Sequence, residues 1–348
     1  MTLATLALTA AVKERALGLG FDAVAVGPAD PPAHAARFLA WLDAGYAGTM
    51  DYLARTRAER VDPQRLLPGA RSVVTVALAY RPDGETPGWE GVARYARGRD
   101  YHDVMRPRLR DLAAYVDGAA VPGTRSRAAV DTSAVLERDL AARAGLGWLG
   151  KNTNLLSAAL GSYFFIGVVL TTADLARDGA QPDRCGTCTA CLDACPTRAF
   201  PAPYVLDARR CLSYLTIERR GEIPVDLAGE VADWIFGCDV CQEVCPWNRK
   251  AAIAGEPALA PAAPPPTLEE ILDLDDAAFR ERFRGSAIRR ARRAGLVRNA
   301  ALAAGNRGLR AAVPALRRLT GDHDPGVRAA ATWALSRLGE GETAARGD

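Results

Sequence analysis

The sequence predicts three units in succession: a mixed α/β (α+β) domain over 1–175, a small cysteine-rich domain over 176–253, and an α-helical tail over 268–348, reached through a proline-rich linker at 254–267. Three observations carry this reading. The first half alternates helix-like and strand-like patterns. All eight cysteines fall between Cys185 and Cys245. From Thr267 onward the chain reads as helix almost to its end. With 49% hydrophobic and 24% charged residues in 348, packed cores are expected rather than disorder.

Residues 2–19 read as a helix and "FDAVAVG" (Phe21 to Gly27) as a strand. "RSVVTVALAY" (Arg71 to Tyr80) is a β-branched run after the turn signal "LLPGA", which predicts a second strand. "ERDLAARAGLG" (Glu137 to Gly147) predicts a helix with a glycine stop, and "SYFFIGVVLTT" a buried strand. "GLGWLG" (Gly145 to Gly150) matches the dinucleotide fingerprint letter for letter. That fingerprint needs a preceding strand, whereas this copy follows a helix, so it reads as a helix stop and turn. The longest apolar run, "YFFIGVVL", is far too short to cross a bilayer. The first residues carry no basic region and no twin-arginine signal, so a cytoplasmic protein without membrane association is expected.

"CGTCTACLDACP" (Cys185 to Pro196) has the spacing C-x2-C-x2-C-x3-C-P of the bacterial ferredoxin run. "CDVCQEVCP" (Cys238 to Pro246) is a second run with three cysteines and the same ending, and the isolated Cys211 completes it. In two-cluster ferredoxins the last cysteine of each run ligates the other cluster. That rule predicts one 4Fe–4S cluster on Cys185, Cys188, Cys191 and Cys245, and a second on Cys195, Cys211, Cys238 and Cys241. Four-thiolate zinc is the alternative, but zinc sites rarely use this x2-x2-x3-C-P spacing. Such clusters pass single electrons, so the N-terminal domain is expected to hold the redox group that receives them.

"AGEPALAPAAPPPT" (Ala254 to Thr267) has the composition of a semi-rigid linker, and Thr267 with Glu270 forms a capping box for the helix that follows. "LVRNAALAAGNRG" (Leu296 to Gly308) recurs loosely as "GVRAAATWALSRLG" (Gly326 to Gly339), which predicts HEAT-like stacked helix pairs; a plain helical bundle is the alternative. Between Arg280 and Arg310 ten arginines face one acid, Glu281. The window therefore carries +9 in a chain of net +3, a surplus that suits a polyanionic partner or, more simply, a solvated helical face.

The segments "ARYARGRDYHDVMRPRL", "VDTSAVLERDLAARAGLGWLGKNTNLL", "GSYFFIG", "RCLSYLTIERRG" and "GCDVCQEVCPWN" together resemble epoxyqueuosine reductase, and the resemblance spans nearly the whole chain. It implies a cobalamin bound between the first domain and a ferredoxin-like domain, two 4Fe–4S clusters that reduce it stepwise to nucleophilic cob(I)alamin, and reduction of epoxyqueuosine at the tRNA wobble position to queuosine. It makes Asp131 the proton donor, with a carboxyl pKa expected to be raised. A helix cap is the plainer reading of Asp131. Arg138, seven residues on, would share its face if the helix began at Asp131. Arg94, Lys151, Ser157 and Ser213 are expected corrin contacts.

His102 is not expected to ligate cobalt, because "DYHDVMR" has Met105 where the Asp-x-His-x-x-Gly pattern needs glycine. The resemblance also implies tRNA, gripped by the arginine window at its anticodon stem-loop, and an external electron donor as partners of a monomer. A corrinoid reductive dehalogenase is the nearest rival, though such enzymes typically carry an export signal and lack the basic helical tail. A non-catalytic electron carrier or tRNA-binding adaptor is the rival from another class.

Overall fold

The computed structural model describes residues 2–84, 86–261 and 263–340. In chain order the first domain contains α1 (Leu3–Gly18), β1 (Ala23–Pro28), α2 (Ala35–Asp43), β2 (Ser72–Ala79), α3 (Tyr101–Ala119), β3 (Ser126–Val130), α4 (Glu137–Ala144) and β4 (Phe164–Thr171). Its sheet has the order β1-β2-β4-β3, and every neighbouring pair is antiparallel. The α+β form of the expectation is therefore the one adopted.

Strand β2 is buried along all eight residues, which explains why its sequence is apolar apart from Ser72 and Thr75: both sheet faces are covered. Val74 lies opposite Val26 on one side and Val169 on the other. Helices α1 and α3 cover one face through Val12, Ala16, Leu109, Leu112 and Val116. Helix α4 covers the other through Ala141 and Ala144. Each large apolar side chain buried here contributes roughly 1.5–3 kcal/mol. Gly27 permits the close approach of α4, since a Cβ there would stand 3.0 Å from Ala144 Cα. Helix α4 ends on Gly145 at φ 95°, so the "GLGWLG" stretch is the stop and turn that its position predicted.

Contacts cross two of the expected boundaries. The semi-rigid linker at 254–267 packs against the first domain. Leu259 is buried in the core beneath α3, Ala254 N donates to Arg81 O (2.8 Å), and Glu256 pairs with Arg108. The contacts of the first domain also run past residue 175, because Asp178 accepts hydrogen bonds from Lys13 and Val26 N.

Each cysteine run contains one turn of helix, Ala190–Asp193 and Val240–Glu243, and α5 (Leu212–Ile217) starts directly after Cys211. In the tail, α6 (Arg292–Asn306) packs against α7 (Pro325–Arg337). One hydrophobic core runs from the cysteine domain into the tail, joining Leu215, Val231 and Phe236 to Ile271, Leu296 and Ala300. Among the described residues no helix is long and apolar enough to cross a membrane.

Candidate active site and cysteine loops

Cys191 feels the charges of Cys245, Cys185 and Cys188, while Cys238 feels those of Cys211 and Cys195. Cys241 feels those of Cys211 and Cys238 and also that of Cys191. All eight are free thiols. Burial, then mutual repulsion, raises Cys191 to about 11. Backbone N–H groups oppose this: those of Ser213 and Tyr214 point at Cys211, and those of Trp247 and Asn248 at Cys245. The buried indole Nε1 of Trp148 has no hydrogen-bond partner of normal geometry and acts on Cys185. Sulfurs surrounded by N–H donors are what an iron–sulfur cluster's thiolates require.

Lys151 and Asn152, in the turn after α4, tie both cysteine loops to the first domain. Lys151 Nζ donates to Gly186 O (2.7 Å) and Cys188 O (2.9 Å), and Asn152 Nδ2 to Cys241 O (3.3 Å). Arg94 performs the same service from another loop. Its backbone N–H reaches the buried Asp239 (2.7 Å) and its guanidinium reaches Asp239 and Glu243. Ser213 Oγ lies 3.5 Å from Cys238 O. Ser157 makes a paired backbone bridge with Gly161.

A cavity of about 840 Å³ opens between α2, the loop after β3, and the segment from Tyr204 to Ala208 that leads into Cys211. Phe38, Trp41, Tyr46, Leu149 and Leu206 make its walls largely apolar, with Asp131 and Arg138 also on them. Arg94, Lys151, Ser157 and Ser213 do not line it. The structure brings the first two of those to the cysteine loops.

Asp131 follows the last residue of β3 and adopts φ 43°, a left-handed conformation that aspartate tolerates better than most residues. The helix begins at Glu137, not at Asp131, so Asp131 is no cap and does not share a helical face with Arg138. Arg138 instead donates to Thr153 O (2.9 Å). Behind Asp131 stands His102, whose Nε2 is 3.4 Å from Asp131 Oδ2 and whose Nδ1 is 2.8 Å from Asp100 Oδ1. Burial pushes the Asp131 carboxyl up, but His102, Tyr101 and Arg290 together pull it below its ordinary value. The expected raised pKa is thus corrected: burial is the largest single influence, but the imidazole, the tyrosine and the arginine together outweigh it. Burial raises another carboxyl on the wall, that of Glu137. Neither Glu137 nor Arg290 was singled out for the site from sequence, since nothing local marks a side chain that reaches a cavity from another domain.

Three family models match the chain: "Epoxyqueuosine reductase QueG, DUF1730" over 60–132, "4Fe-4S double cluster binding domain" over 184–248, and "HEAT repeats" over 283–346. An epoxyqueuosine reductase of Gloeobacter violaceus is 46% identical over 310 residues, covering 86% of this chain and 96% of that one. One of Pseudomonas aeruginosa is 41% identical over 346 residues, covering 96% and 95%. The chain belongs to the epoxyqueuosine reductase family. A crystal structure of an epoxyqueuosine reductase with a tRNA-Tyr epoxyqueuosine-modified stem loop superposes with a TM-score of 0.87 at 32% identity, covering 96% of this chain and 90% of that chain. A Bacillus subtilis epoxyqueuosine reductase with its catalytic loop swung out of the active site gives the same TM-score at 31% identity, covering 95% and 90%.

The arginine window of this chain is not one exposed stripe. Arg293 and Arg298 are buried. Arg282, Arg284, Arg290, Arg307 and Arg310 pair with Glu270, Glu281, Glu218, Asp233 and Glu340. Among the described residues, Arg280, Arg289 and Arg292 remain exposed without an ion pair.

Proposed function

We propose that this chain reduces epoxyqueuosine at the wobble position of tRNA to queuosine, working as a cytoplasmic monomer supplied by an external one-electron donor. The observation that supports this reading is a cavity lined by both Asp131 and the segment leading into Cys211, in a chain of this family. Two 4Fe–4S clusters take Cys185, Cys188, Cys191 and Cys245, and Cys195, Cys211, Cys238 and Cys241, which the grouping of the thiols supports.

A volume of about 840 Å³, with walls that are largely apolar but carry charged groups such as Asp131, Arg138 and Arg290, is of the size expected for a large cofactor. Cobalamin in this cavity would supply a strongly reducing metal centre that the clusters recharge one electron at a time. The chain's residues do the rest. Asp131 delivers a proton to the departing epoxide oxygen. Lys151, Asn152 and Arg94 hold the cluster loops against the first domain, fixing the distance between electron supply and cavity. The exposed Arg280, Arg289 and Arg292 neutralise phosphates of the stem.

The test is anaerobic turnover of an epoxyqueuosine-containing anticodon stem-loop by the reconstituted chain with dithionite. The wobble nucleoside should become lighter by one oxygen atom. Fully loaded protein that leaves it unchanged while binding the RNA would refute the reading.

A further inference from the structure

The lowered carboxyl of Asp131 leaves a chemical question, because an ionised aspartate has no proton to give. We infer that His102 is the proton reservoir of Asp131: a positioning residue that stores the proton on its imidazolium and hands it across to the carboxylate as substrate seats. This rests on the reading of Asp131 as the group that faces the epoxide.

Three features of geometry point to it. The Nε2 of His102 is a buried polar atom with no hydrogen-bond partner of normal geometry, and its nearest acceptor is Asp131 Oδ2 at 3.4 Å. A buried donor is rarely left orphaned without a functional reason. The ring is held from its other side by Asp100, whose Oδ1 is 2.8 Å from Nδ1 and also accepts from His102 N as the cap of α3. That carboxylate fixes Nδ1 as a donor and leaves Nε2 to face Asp131. The imidazole is also stacked on Tyr101 at 4.2 Å, and Tyr101 is stacked on Phe165 at 4.2 Å, so the ring plane is fixed by the sheet.

The Asp131 side chain, by contrast, is 57% exposed at the end of β3, with its backbone in the left-handed region. The charged surroundings favour a stored proton. Asp100 and Asp131 flank the ring, Tyr101 and Tyr95 stay neutral through burial, and Arg106 and Arg290 act on the carboxylates from α3 and the tail. Burial pushes His102 down, but its two carboxylate partners carry it up to about 9.

The balance is as follows. Two carbon–oxygen bonds of the epoxide break and a carbon–carbon double bond forms. The oxygen leaves as water, taking two electrons from the external donor and two protons. The first proton passes from His102 Nε2 to Asp131 Oδ2 and on to the oxygen. The second comes from water, which also restores the imidazolium when product leaves and Asp131 opens to solvent.

Holoenzyme turnover of the epoxyqueuosine stem-loop across pH 6–10 is the test, on wild type, His102→Gln, Asp131→Asn and Glu137→Gln. Wild-type kcat should hold to about pH 9, where His102 deprotonates. His102→Gln should lose at least about tenfold in kcat at pH 8, with KM for RNA little changed, and recover as pH falls. Imidazole NMR of the apo chain gives a readout free of turnover: the His102 titration near pH 9 should move down in Asp131→Asn. A His102→Gln profile that superposes on wild type after scaling would overturn the reservoir. So would a basic limb that moves with Glu137→Gln instead. Asp131→Asn with full activity would instead sink the underlying assignment of the proton donor.

Discussion

Arg298 makes a demanding test of how the tail is joined to the rest of the molecule. It is buried to 2% exposure on α6 and, among the described residues, makes no ion pair, although the charge of Asp324 acts on it. All five of its N–H donors are used: two reach Asn299 Oδ1, and the others reach the carbonyls of Leu215, Arg219 and Gly221 at 2.6–3.0 Å. Those carbonyls belong to α5 and the turn after it, the segment that begins at Cys211. Burial, followed by repulsion from Arg219, lowers the guanidinium from 12.5 to about 10. That displacement corresponds to roughly 3 kcal/mol of unfavourable charge burial. Charge-assisted hydrogen bonds of about 1.5 kcal/mol each, five in number, oppose it and leave roughly 4 kcal/mol in favour of the arginine. Arg298→Met removes the charge and the bonds together, so it should lower unfolding free energy by about 4 kcal/mol. Anaerobic urea unfolding of the cluster-loaded protein measures this. A loss below about 1 kcal/mol would refute the claim that this side chain clamps the tail.

Further consequences concern the site. Asp131→Asn should cut kcat by roughly 10²–10⁴-fold while stem-loop affinity is retained, checked by single-turnover kinetics alongside filter binding. Reversing Arg289 and Arg292 to glutamate should weaken stem-loop binding and lower the slope of log K against log salt by about 2; an unchanged slope would place the phosphates elsewhere. Cys245→Ser and Cys211→Ser should each remove one cluster, and they should remove different ones, read as a halved iron content with distinct residual EPR signals.

Much of this was legible in the sequence because its signals are local. The cysteine spacing marks a domain for two 4Fe–4S clusters, and the match to a double-cluster binding domain over 184–248 bears that out. The β-branched runs at Ser72–Ala79 and Phe164–Thr171 became the two central strands, since burial on both faces leaves no polar alternation to confuse the pattern. Long-range features were not legible. Nothing in "DYHDVMR" shows that His102 stands behind Asp131, because β3 brings them together from 29 positions apart. The arginine window misled in part for the same reason. Periodicity could not show that Arg293 turns inward to Leu274 O and Asp322, or Arg298 to α5. Proline-rich composition suggested a semi-rigid linker at 254–267 and could not show that Leu259 docks its first half into the core beneath α3.

The central claim is that one cavity lies between an electron supply and a proton supply. The most direct measurement is an anaerobic EPR spectrum of the chain reconstituted with iron, sulfide and cobalamin, recorded before and after dithionite. The account predicts a retained Co(II) corrin signal together with reduced cubane signals from two clusters. Two reducible clusters with no corrin retained would contradict it and leave an electron carrier in its place.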